Sequence, residues 1–334
     1  MLGQEHPDTV KIIANLSSIY SSQGRWNEAE RLDIRVLDIS KRILGEKHPD
    51  TLISMDNLAS TYRNQGRWSE AEQLQLEALD VITRVCGQEH TETLNITANL
   101  ASTYRNQGKW NEAKQLEIQV LDMRKRMLGE EHPHTLKVMT NLASTHRNQG
   151  NLTEAEKLEI HVLDVSKRMF GQEHPNTLIS TANLAAIYGN QKRWEQAEKL
   201  IIQIFDTIKE VCGQKHPETL NVMANLASIY RNQERWNEAE PLEIQVLDIR
   251  KSVLGQEHPD TLISMASLAS TYRNQGRWND AEQLEIHALG VSKRVCGHEH
   301  PETLNIMANL ALTYREKSRW IEADQLEGQE RESV

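Results

Sequence analysis

The sequence predicts an all-α chain, a right-handed alpha-alpha superhelix of eight helix-turn-helix units, and three observations lead there. A glycine returns at Gly3, Gly45, Gly87, Gly129, Gly171, Gly213, Gly255 and Gly297, a spacing of 42 residues without insertion or deletion. The seven Trp and seven Tyr residues fall in the same register, as a continuous stacked core requires. Each unit also carries two segments whose apolar residues recur at steps of three and four, and none with the alternation of a strand. The expected units are 3–44, 45–86, 87–128, 129–170, 171–212, 213–254, 255–296 and 297–334, one array over residues 1–334.

Residues 45–86 set the pattern. The first helix is expected from Pro49, where a missing N–H costs nothing, to about Asn64. Leu52, Met55, Leu58, Ala59 and Tyr62 make its core stripe, and Gly66 its left-handed cap. The second helix is expected to open on a capping box, Ser69 with Glu72. One stripe of Ala71, Leu74, Ala78, Val81 and Val85, and another of Leu76, Leu79 and Cys86, predict packing on both sides before Gly87 stops the helix.

Two units depart from the pattern. Residues 129–170 carry His146 in the Tyr place and Leu152 in the Trp place, and so are expected to form the softest joint, with fast amide exchange as its mark. The segment Leu326–Val334 turns polar, as a terminal cap does, whereas the first unit lacks the neighbour it is built to pack on. The unpaired first unit is expected to mean either an excerpt from a longer protein or an exposed apolar end that self-associates end to end, and the polar tail is expected to be the natural C-terminus.

The net charge of −10 argues against a nucleic-acid partner. The chain has neither an apolar run of membrane-span length nor a signal-peptide core, so a cytoplasmic protein without membrane attachment is expected. Cys86, Cys212 and Cys296 lie two or three units apart, beyond disulfide reach, and read as reduced buried thiols. His6, His48, His90, His132, His174, His216, His258 and His300 stand one per unit. That arrangement cannot converge on a metal and suits a helix start. No phosphate-binding loop or nucleophile–base pair is present, so neither an enzyme nor a cofactor is expected.

A binding wall is the stronger expectation. On the face of the first helix opposite the core stripe, Asn15, Asn57, Asn99, Asn141, Asn183, Asn225 and Asn309 form one row, broken only by Ser267. Asn64, Asn106, Asn148, Asn190, Asn232 and Asn274 form a second, and Arg63, Arg105, Arg147, Arg231, Arg273 and Arg315 run beside them. Carboxamides both donate and accept, and so suit an extended peptide backbone, while guanidinium groups suit acidic side chains. Lys11, Ile53, Asn95, Lys137, Ile179, Asn221, Ile263 and Asn305 vary from unit to unit and are expected to set specificity. Bracing between helices, solvation of an acidic chain, or recent duplication would explain the same rows.

The string Asn57-Leu-Ala-x-x-Tyr62, followed by Gly66, Trp68, Ala71 and Ala78, resembles the tetratricopeptide repeat. The 42-residue form, with Gly-x-x-His-Pro-x-Thr-Leu between units, is similar to the kinesin light chain subfamily. It is closer still to the arrays at the C-terminal side of fungal nucleotide-binding switch proteins. The resemblance implies a peptide-binding groove in the sensor or scaffold part of an intracellular receptor. A motor-cargo adaptor is the alternative, although the usual second-helix aromatic is replaced here by Asp33, Gln75, Glu117, Glu159, Glu243 or Glu285. A self-assembling structural array is the third reading.

Overall fold

The computed structural model describes residues 6–22, 25–295, 297–298 and 300–332. Gly3 and Cys296 lie outside the described residues. Sixteen helices follow in order: α1 (Pro7–Ser22), α2 (Trp26–Leu44), α3 (Pro49–Asn64), α4 (Trp68–Cys86), α5 (Thr91–Asn106), α6 (Trp110–Leu128), α7 (Pro133–Asn148) and α8 (Leu152–Phe170). Then come α9 (Pro175–Asn190), α10 (Trp194–Cys212), α11 (Pro217–Asn232), α12 (Trp236–Val253), α13 (Pro259–Asn274), α14 (Trp278–Val295), α15 (Pro301–Glu316) and α16 (Trp320–Glu332). No strand occurs among the described residues, and the fold class is the all-α array of eight helical hairpins that the sequence predicts. The chain divides into two compact units, Met1–Thr145 and His146–Val334. The boundary falls inside residues 129–170, the segment carrying His146 and Leu152.

The start of each odd-numbered helix is set by its histidine. In every repeat His Nδ1 accepts the backbone N–H two residues on, as His48 does from Asp50 at 3.2 Å and His258 from Asp260 at 3.1 Å. An imidazole lone pair thus does the work of the usual N-cap oxygen. Thr51 then donates to the carbonyl of Gly45 at 2.8 Å, a lock repeated from Thr93 to Gly87 and from Thr261 to Gly255. Gly45 and Gly87 stand at φ +88° and +91°, so the link between repeats needs glycine's freedom.

The even-numbered helices start differently from expectation. α4 opens at Trp68 behind Arg67, whose side chain makes no cap, so no capping box forms. Each would-be box glutamate instead holds the next repeat. Glu30 accepts from Gln65 at 2.8 Å and from Arg67 at 2.8 Å, and Glu198 does the same for Gln233 and Arg235. The arginine also lies over its own tyrosine, Arg67 at 3.9 Å from the Tyr62 ring, rather than over the tryptophan beside it. Trp68 is buried, but Trp278 and Trp320 are exposed.

The core follows the first-helix stripe. Leu52, Met55 and Leu58 join Leu37, Ala78, Ile82 and Ile96 in one cluster of the first unit. In the second unit Leu262, Met265 and Leu268 do the same with Ala288 and Ile306. On the second helix the stripe needs correction, because Leu76 and Val85 are 45% and 51% exposed while Ile82 is fully buried. At 100° per residue Ile82 continues the line from Ala71 through Leu74 and Ala78, Leu76 points about 140° away from Ala71, and Val85 keeps to the line but sits in the last turn of α4.

Candidate functional site: the asparagine face of the odd helices

Odd-numbered helices touch directly where α3 meets α5 and where α9, α11, α13 and α15 follow one another. Among the described residues no comparable contact joins consecutive even-numbered helices. The odd-helix side is therefore the tighter one in each unit, and the asparagine rows lie on it.

The first row divides into rungs that are free and rungs that are engaged. Asn15 and Asn57 are exposed, and Asn141 and Asn225 partly so. None of these four carboxamides is hydrogen-bonded to another described residue. Asn99 instead donates to Asp56 at 2.6 Å, and Asn183 lies 3.4 Å from Glu159. Asn309 accepts from Arg273 at 3.1 Å. In the second row Asn106, Asn148 and Asn190 are exposed, and Asn64 reaches Ser21. Asn232 and Asn274, also exposed, donate back to the carbonyls of Ser228 and Ser270.

The arginines are struts. Arg273 donates to Glu285 of its own repeat at 2.9 Å and to the main-chain carbonyl of Asn309 in the next at 3.0 Å. Arg231 does the same with Glu243 at 3.2 Å and Ser267 at 3.0 Å, and Arg63 reaches the carbonyl of Asn99 at 3.1 Å. Arg105 pairs with Glu117, and Arg315 with Glu327 and Asp324. Arg147 acts on Glu159 through its charge. At three junctions a threonine of the following repeat donates to the residue in the acid's place, Thr313 to Glu285 at 2.6 Å, Thr61 to Asp33 at 2.6 Å and Thr103 to Gln75 at 2.7 Å.

The strut acids are the residues that stand where the repeat usually carries an aromatic. Burial pushes their carboxyls up against the pull of arginine and threonine, to about 7 at Glu243 and to about 8 at Glu159. At Glu159, the more deeply buried of the two, the place of the threonine is taken by Ile187, and its Oε2 is without a hydrogen-bond partner, as is that of Glu243. In the second repeat the strut acid is Gln75, and the carboxylate has moved to Asp56. That group accepts from Gln75 at 3.0 Å, and its charge steadies the half-buried Arg63. Sequence reading marked these acids as departures but did not pair them with the threonines 28 residues on, which is the spacing that identifies the strut.

Three of the variable positions are also engaged, Asn305 accepting from Asn309 at 3.5 Å. Asn95 accepts from Arg124 at 2.8 Å and Asn221 from Arg250 at 2.9 Å, both arginines being buried. Among the described residues no group of three or more His, Cys, Asp or Glu is placed to hold a metal ion, and no helix is long and apolar enough to cross a membrane.

Comparison with known proteins agrees with this geometry. The tetratricopeptide-repeat profile matches at residues 8–84, 56–126, 92–168, 134–200, 177–252, 223–293 and 260–332, overlapping along almost the whole chain. The chain belongs to the tetratricopeptide repeat family. Among curated proteins none matches the sequence. Among solved structures, a Podosopora anserina protein assigned as a kinesin light chain, with nearly identical TPR-like repeats, is 28% identical, with a TM-score of 0.49. That alignment covers 61% of this chain and 97% of the other. The apo form of the quorum sensor NprR from B. thuringiensis aligns over 100% of this chain and 89% of its own, at 17% identity and a TM-score of 0.64. The apo form of RapI aligns over 84% and 97%, at 13% identity and a TM-score of 0.59. At these identities the tetratricopeptide array shares a fold with NprR and RapI.

Proposed function

We propose that this tetratricopeptide array is a non-catalytic protein-binding scaffold that takes an extended peptide segment along the asparagine face of its odd-numbered helices. One observation carries the reading: Asn15, Asn57, Asn141 and Asn225 present carboxamides to solvent at matched positions with no hydrogen bond to a described residue. A peptide backbone offers alternating donors and acceptors, which an amide ladder meets without regard to side chains. The arginines fix the spacing of the rungs, and what remains exposed of each guanidinium favours acidic segments. Nucleic acid, a membrane and cofactors have no part in this reading. The setting that fits it best is the sensor or scaffold part of a larger cytoplasmic receptor with a nucleotide-binding switch, the context of the similar fungal arrays. A kinesin light chain-like adaptor is the alternative, and co-purification with a motor chain would favour it.

The test uses a peptide selected from a random library on the whole chain. Asn15→Ala and Asn57→Ala, made singly, each remove a rung of the unit Met1–Thr145 that has no structural duty. Each is expected to weaken binding about three- to tenfold, the effect of one hydrogen bond, with melting unchanged. Unchanged affinity in both variants would refute the groove.

A second reading rests on α1, where Ile12, Leu16 and Ile19 are 64%, 37% and 51% exposed at positions that later repeats bury. Self-association through this face predicts a sedimentation coefficient that rises with concentration and is lowered by Ile12→Asp. A concentration-independent monomer would remove it.

A further inference from the structure

Where the second repeat meets the third, the first unit contains a cavity of about 140 Å³ that no other role requires. Leu94, Leu116 and Val120 are among its apolar lining, and Thr83 of α4 and Thr97 of α5 line it as well. The sequence explains why it is there. The place of Thr97 is held by Met55, Met139, Met223, Met265 and Met307 in five other repeats, each at most 3% exposed. The place of Thr83 is held by lysine at 41, 125, 167, 209, 251 and 293, whose stem can cover the same surface. Thr181 also replaces a methionine, but it follows Lys167, so both shortenings coincide only at the Thr83–Thr97 pair.

We propose that this cavity is a binding site for a small, neutral, largely apolar molecule of about the size of phenol. The volume is close to the roughly 150 Å³ that admits benzene in apolar protein cavities. No charged side chain lines it, so the lining offers an ionic guest no partner and suits a neutral one. Thr97 already donates its hydroxyl to the carbonyl of Thr93 at 2.7 Å, so its oxygen is left as an acceptor for one hydroxyl or amine hydrogen. This site is independent of the asparagine face and survives failure of the peptide reading.

Phenol is the probe. Titrated into the whole ¹⁵N-labelled chain, it is expected to give saturable amide shifts at Thr83, Thr97 and Val120. Thr97→Met, which restores the side chain of the other repeats, should abolish them or weaken binding at least tenfold. Thr83→Lys serves the same purpose from the opposite wall if the first variant fails to fold. Absence of saturable shifts in the parent chain, or the same shifts with the same affinity in a folded filling variant, would overturn the proposal.

Discussion

The junction following α10 and the junction following α14 belong to the same compact unit and the same repeat pattern, yet they are braced by opposite chemistry. After α14, Glu285 is fully buried between Arg273 and Thr313. After α10, the three equivalent positions are Ile201, Gly189 and Ile229, and both isoleucines are buried in one apolar cluster. The hairpin accepts either solution, provided the three positions change together. A buried ion pair and a well-packed apolar set of similar size are close in free energy, whereas a half-changed set strands a charge. The junction following α8 is such a half-changed set, with Glu159 retained opposite Ile187.

The largest expected effect comes from breaking the polar junction alone. Glu285→Leu leaves Arg273 half-buried without its carboxylate and Thr313 without its acceptor, and should cost about 3–5 kcal/mol in urea unfolding. A smaller effect is expected at Glu159, and its sign depends on pH. Its carboxyl is raised from 4.5 to about 8 in the folded chain, so the folded state binds the proton more tightly than the unfolded state. The stabilisation of the neutral form is fully present below about 4.5 and is lost as pH rises towards about 8. Glu159→Gln should remove that slope and raise the melting temperature at pH 8 by a few degrees, with little change at pH 4.5. Parallel melting curves for parent and variant across this range would show that Glu159 is not the group responsible.

The same contrast explains what could be read from the sequence. The first-helix stripe from Leu52 to Ala59, the helix limits at Pro49 and Asn64, and the left-handed Gly66 follow from local periodicity and turn chemistry, and the structure has them. The histidines at the helix starts were legible for the same reason. Glu72 was misread as half of a capping box because its partners, Gln107 and Lys109, stand 35 and 37 residues away in the next repeat. The struts were hidden by distance as well, since Arg273, Glu285 and Thr313 make sense only when two repeats are laid side by side. On the candidate face, sequence placed the asparagines on one side of the odd helices. It could not tell that Asn99 and Asn183 turn to acids beneath them, whereas Asn57 and Asn225 are left to solvent. Those fates depend on Asp56, an acid that no other repeat has at this place, and on Glu159, whose opposite position is Ile187 in place of threonine.

The most direct test of the interchangeable brace is one unfolding series on the whole chain: Glu285→Leu beside the triple change Arg273→Gly, Glu285→Ile and Thr313→Ile. Concerted replacement predicts that the triple variant recovers most of the loss and returns to within about 1 kcal/mol of the parent. A triple variant as unstable as the single one, or less stable than it, would contradict the account.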